Sequence, residues 1–131
     1  MDRRVAKELL HLREWFERIE TVTLGGRDVY LADALRQEAG DSLLMKIGET
    51  ANRLDRAGLE APDGVRWGDA IATRNYLIHQ YDTIDRAITW TTLVRDVPAW
   101  RRALGPLIAE AEATVGDQAT KPHGLQTPKS T

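Results

Sequence analysis

Seven apolar residues in the first half of the chain share one period. Ala32, Leu35, Ala39, Leu43, Ile47, Ala51 and Leu54 follow one another at steps of three or four residues. That spacing returns each side chain to one side of an α-helix and does not fit the alternation of a strand. Gly40-Asp41-Ser42 looks locally like a stop followed by a new cap. A loop there would reset the apolar phase, and the phase runs through unbroken. The spacing therefore predicts one helix over about residues 28–58, with Asp28 as N-cap and Gly58 as its end. Gly40 then lies inside it, at a cost of roughly 1 kcal/mol against Ala that close helix packing offsets.

The remaining elements follow the same period. Val5, Leu9, Leu12, Phe16 and Ile19 predict a first helix over residues 3–22, with Arg13, Glu14, Glu17 and Arg18 outward. Trp15 falls at the edge of that stripe, and His11 points to solvent. Gly25-Gly26 ends the helix. After the loop Ala61-Pro62-Asp63-Gly64, a helix is expected over about 67–81, anchored by Trp67 and carrying Ile71, Leu77 and Ile78. Asp82-Thr83-Ile84-Asp85 breaks it. Residues 85–95 predict a further helix with Ile88, Trp90, Thr91 and Val94. Asp96 is expected to cap a last one, with Pro98 in its first turn and Trp100, Leu104, Leu107 and Ile108 inward. Gly105-Pro106 should kink that helix.

From Gly116 onward little can be buried, so 116–131, including His123, reads as a disordered tail on a domain spanning 1–115. The expected fold is all-α, an antiparallel bundle of four to five helices. Broad apolar faces and four Trp residues point to a second subunit.

Composition narrows the function. A length of 131 residues supports one domain with a real core. The formal net charge of -2 excludes a uniformly basic nucleic-acid binder. Arg nevertheless outnumbers Lys by 14 to 4, leaving room for local phosphate sites. With no Cys there is neither disulfide nor thiolate, in keeping with the cytoplasm. No apolar run approaches a membrane span, and Met1-Asp2-Arg3-Arg4 leads into amphipathic sequence without a signal-peptide core. No metal-ligand spacing and no Walker-type loop occurs, so neither metal nor cofactor is expected.

The chemistry concentrates in Arg74-Asn75-Tyr76-Leu77-Ile78-His79-Gln80-Tyr81. Arg74 is a permanent cation able to fork onto a phosphate. His79 exchanges protons near neutral pH. Together they suffice for phosphodiester chemistry without a metal. Taken alone, a single His in a helical segment is more often packed or solvated than catalytic. At 100° per residue, Arg74 and Tyr81 fall about 20° apart, whereas His79 stands about 140° from Arg74. One straight helix cannot aim all three at one point. Either the helix ends near His79, or a second copy of the chain completes the site.

The order R-x-x-x-x-H-x-Y resembles the HEPN ribonuclease toxins of the HepT type. The resemblance extends over roughly residues 3–104. It rests on Ile47-Gly48-Glu49, Trp67, Arg74-Asn75, His79-Gln80-Tyr81, Ile88-Thr89-Trp90 and Asp96-Val97-Pro98. Gln80 and Thr50 depart from the residues common in the family, and neither alters the Arg, His or Tyr.

The resemblance implies a HEPN-like bundle and a toxin of a toxin–antitoxin pair that cleaves RNA without a metal. It implies Arg74 and His79 as catalytic residues at a homodimer cleft. Asn75 supports them by orienting His79 or the phosphate, or else only ties down the helix. Glu49 is either a surface residue or a lining one. Tyr81 is implied as the regulatory residue, silenced when a nucleotidyltransferase antitoxin transfers AMP to its hydroxyl. Tyr81 read without the resemblance is an aromatic at a helix end.

A second reading makes the chain a non-catalytic, nucleotide-binding partner subunit of a small nucleotidyltransferase, in which His79 transfers no proton. A third makes it an oligomeric helical scaffold.

Overall fold

Three aspartates start three helices by the same chemistry. The side chains of Asp2, Asp33 and Asp85 accept hydrogen bonds from backbone N–H groups left unpaired in the first helical turn. The computed structural model describes residues 1–120. The helices are α1 (Arg3–Thr23), α2 (Arg27–Leu31), α3 (Ala34–Arg56), α4 (Trp67–His79), α5 (Arg86–Thr91) and α6 (Val97–Thr120). A π-helical turn over Thr92–Asp96 joins α5 to α6. The described residues contain no strand. The chain is thus an all-α bundle of four long rods and the short α2, the class that the periodicity leads one to expect.

The rods pack around α1. Its buried face is Ala6, Leu9, Leu12, Phe16, Ile19 and Val22. It lies between α3, which contributes Leu44, Ile47, Ala51 and Leu54, and α6, which contributes Val97, Trp100, Leu104, Ile108 and Ala111. Complete burial of a Leu, Ile or Phe contributes roughly 1.5–3 kcal/mol. The helix α4 packs chiefly on α3, through Trp67, Ala70 and Leu77. It is therefore an outer rod, seated mainly on α3, with Trp67 and Ala70 turned toward the core shared by α1 and α6.

Two elements depart from the sequence expectation. The helix expected over 28–58 is divided. Gly26 precedes the short α2, so Asp28 is not the cap. At Asp33 the backbone is extended (φ -124°, ψ 103°), and its carboxylate takes the N–H groups of Leu35 at 2.9 Å and Arg36 at 3.3 Å. Gln37 Nε2 donates to the Tyr30 and Leu31 carbonyls at the end of α2, and Arg36 Nη1 donates to Thr21 and Val22 at the end of α1. Polar satisfaction of three helix ends outweighs the apolar phase of Ala32, Leu35 and Ala39, all of which are exposed. Gly40, in contrast, is buried inside α3 as expected. The end of α3 is also close to expectation. Gly58 adopts φ +81°, Leu59 N–H reaches Leu54 O and Gly58 N–H reaches Asp55 O, which closes the helix in a Schellman turn.

The second departure is the absence of a break at Arg95-Asp96. Thr91 and Val97 both keep helical dihedrals, so Asp96 caps nothing. Pro98 has no N–H for the carbonyl four residues back, and its ring crowds that turn. The helix widens instead: Val97 N–H bonds to Thr92 O, five residues back. The rod then continues through Pro106 and past Gly116 to Thr120. The expected start of the tail thus lies within α6, where Val115 still packs against the core. Residues 121–131, with His123, lie outside the described residues.

Candidate functional site

The motif lies on the second half of α4 and the turn after it. Its placement begins with Gly48. A Cβ on that residue would lie 2.5 Å from Arg74 Cβ and 2.8 Å from Ala70 O. Such distances occur only where two helix backbones nearly touch. Arg74 therefore emerges where α3 and α4 approach closely, and it is half-buried. Its Nε and Nη2 donate to Asn75 Oδ1 at 3.3 and 3.1 Å. The described contact of Asn75 is with Arg74, which is none of the roles expected for it, and no contact with His79 is made among the described residues.

The helix α4 ends on His79. The imidazole is exposed and has no hydrogen-bond or ionic partner among the described residues. Because residues 74–79 are all helical, the offset of about 140° between Arg74 and His79 persists. The structure brings Arg74 and Asn75 together and leaves His79 on another side of the same rod.

Helix α4 stops two residues short of Tyr81. Gln80 leaves helical conformation at φ -113°, ψ 19°, and Thr83 N–H closes a turn onto Gln80 O at 2.7 Å. The two-turn return of Tyr81 to the Arg74 face requires helix through residue 81, so helical phase does not place that phenol. Tyr81 is 74% exposed. The other two phenols are engaged. Tyr30 is fully buried, with Oη 2.6 Å from Thr89 Oγ1 and its ring 5.3 Å from that of Trp90. Tyr76 Oη accepts the backbone N–H of Asp85 at 2.9 Å, which ties the far end of the turn back to α4. Ile78, expected to supply an apolar contact, and Ile88 are exposed on either side of this turn.

Glu49 is exposed on α3. Arg53 is held above arginine's ordinary range, first by its bond to Glu8, with the charge of Glu49 adding to it. Glu49 thus belongs to a surface charge network with Arg53 and Glu8. Trp67 closes the start of α4 by donating Nε1 to Leu59 O at 2.9 Å.

Open clefts lie elsewhere on the surface. One of about 600 Å³ runs between the end of α1 and the start of α3, beside Arg18, Asp33 and Arg36. Another of about 530 Å³ lies between Arg4, Lys7, His11 and Arg53. Neither includes Arg74 or His79. Among the described residues no three His, Asp or Glu side chains gather as a metal-binding group, and no helix is long and apolar enough to cross a membrane.

Sequence reasoning missed three contacts around the motif: Gly48 against Arg74, Tyr76 holding Asp85, and the ion pair of Arg86 with Asp41. Only Gly48 carried a local signal, a glycine beside Ile47 in a buried helical stripe.

The family model described as Ribonuclease HepT-like matches residues 12–107. That span takes in all of α3 and α4, the turn bearing Tyr81, and α6 as far as Leu107. No solved structure matches the chain.

Proposed function

We propose, from the premise that this chain belongs to the HepT-like ribonuclease family, that it is a toxin cleaving RNA without a metal at a site shared by two copies. His79 takes the proton of a ribose 2′-hydroxyl. The 2′-oxygen attacks the adjacent phosphorus, the bond to the 5′-oxygen breaks, and that oxygen leaves as a hydroxyl after gaining a proton. The products are a 2′,3′-cyclic phosphate and a 5′-hydroxyl end. Arg74 stabilises the charge that builds on the non-bridging oxygens.

The observation that carries this reading is the helical continuity of residues 74–79. It keeps Arg74 and His79 of one chain on different sides of α4, so a second copy is needed to bring a cation and an imidazole to one phosphate. The exposed Ile78 and Ile88 beside the motif supply apolar surface for that pairing.

The regulation we propose is AMP transfer to Tyr81 by a nucleotidyltransferase antitoxin. The tyrosyl oxygen attacks the α-phosphorus of ATP and pyrophosphate leaves. Its exposure supports this choice over the buried Tyr30 and the engaged Tyr76. The new phosphate adds an anion on the turn that directly follows His79, where it repels the RNA backbone.

Mixing Arg74→Ala chains with His79→Ala chains tests the shared site. Each variant alone should be inactive, and the mixture should recover part of the wild-type cleavage. A monomer by light scattering at the assay concentration, or a mixture as inactive as its parts, overturns it. A His79→Ala chain that keeps full activity turns the reading toward the nucleotide-binding subunit.

A further inference from the structure

Gly48 and Gly40 lie eight residues apart on α3, and both are buried. They differ in what a side chain would meet. At Gly40 a Cβ would stand 3.1 Å from Leu93 Cδ1, the end of a flexible side chain. At Gly48 it would stand 2.5 Å from Arg74 Cβ, 2.8 Å from the Ala70 carbonyl oxygen and 3.3 Å from Arg74 Cγ. The first two atoms move only with the backbone of α4. That carbonyl also faces the helical ladder, so it cannot turn aside without loss of a hydrogen bond.

Arg74 is thus held at both ends. Its stem rests on the bare backbone of Gly48, and its head is tied to Asn75 Oδ1. We infer that Gly48 is a positioning residue for Arg74: the missing side chain sets how deeply α4 sits on α3, and so where the guanidinium stands. The consequence for catalysis rests on the ribonuclease site proposed above; the geometric consequence does not.

A methyl group at residue 48 needs carbon–carbon separations near 3.5–4.0 Å, so it pushes α4 outward by about 1 Å. Misplacement of a catalytic group on this scale costs about a hundredfold in rate.

The test compares Gly48→Ala with Gly40→Ala in the full chain. Two quantities are read: the Arg74 Nε–Hε resonance by NMR, assigned with Arg74→Lys, and kcat and KM for RNA cleavage. Gly48→Ala should move the resonance and lower kcat by about a hundredfold, with KM little changed, since the loss is of transition-state contact. Gly40→Ala should leave both readouts in place. An unmoved Arg74 resonance in Gly48→Ala, or an equal loss of kcat in Gly40→Ala, overturns the inference.

If Gly48→Ala does not fold, the wild-type chain still decides. Its Arg74 Nε order parameter should exceed about 0.6, above the flexible range. An Arg74 as mobile as Arg66, whose side chain is 84% exposed, overturns the inference. A shifted resonance in Gly48→Ala, with a wild-type chain that cleaves no RNA, upholds the positioning and removes the ribonuclease reading alone.

Discussion

Arg86 and Asp41 meet through two parallel hydrogen bonds, Nη1 to Oδ1 at 2.7 Å and Nη2 to Oδ2 at 2.9 Å. The pair joins the first residue of α5 to the middle of α3, and both side chains are largely covered. Asp41 resembles a helix cap in sequence, but in the fold it is the anchor for the rod that follows the motif. Asp41→Ala leaves the largely covered guanidinium without its carboxylate, with the Tyr30 hydroxyl still beside it. It should cost about 1.5–3 kcal/mol, the range for hydrogen bonds to charged groups, read as a lowered midpoint of urea unfolding. An unchanged midpoint would mean that water replaces the carboxylate fully.

The same pair sets a pH expectation. Asp41 holds the Arg86 guanidinium above its ordinary range. A raised folded-state value adds stability at every pH below the unfolded value, and that stability fades only as pH rises through the folded one. Both lie in strong alkali. Between pH 6 and pH 9, the stability difference between wild type and Arg86→Met should therefore stay constant. A slope across that window would point to another titrating group.

Two leucines of α3, both beyond the division at Asp33, differ sharply in burial. Leu44 is 1% exposed and Leu35 is 75% exposed. Leu44→Ala should cost about 2–5 kcal/mol through lost burial and a residual cavity. Leu35→Ala should stay within about 0.5 kcal/mol, as for other surface changes. Equal losses by thermal denaturation would favour the undivided helix over 28–58.

Arg74→Ala and His79→Ala should each leave a folded chain that no longer stops growth when expressed alone. Loss of acid–base help at His79 alone should lower the cleavage rate about 10²–10⁴-fold. Cleavage by the wild type should persist in excess chelator. Strict dependence on added magnesium would replace the imidazole mechanism with a metal-assisted one.

Tyr81→Phe removes an oxygen that makes no bond within the described chain. It should leave stability unchanged and abolish the mass increase of one AMP after incubation with the antitoxin and ATP. Tyr30→Phe should do the reverse. It keeps the modification and loses about 1 kcal/mol with the bond to Thr89. AMP found on Tyr76 in intact-mass and peptide analysis would reassign the regulatory residue.

Period alone was enough to identify α1 and the body of α3, because a buried stripe repeats every three or four residues wherever the neighbour lies. The core of α1 was readable for that reason, and the Gly58 stop of α3 because glycine takes the left-handed turn that closes a helix. The sequence also singled out the candidate site, since Arg74 and His79 combine a fixed cation with a proton carrier in the order that resembles the family motif. Tertiary structure decided the rest. Whether Ala32-Asp33 breaks a helix depends on whether Gln37 and Arg36 reach the carbonyls of α2 and α1. Local spacing does not encode that reach. Whether Pro98 ends a rod or widens it depends on the π-helical turn before it, and on Leu93 and Val97 being buried on either side. The position of Arg74 depends on a glycine twenty-six residues earlier, because the depth of one helix on another is set by the atoms of both.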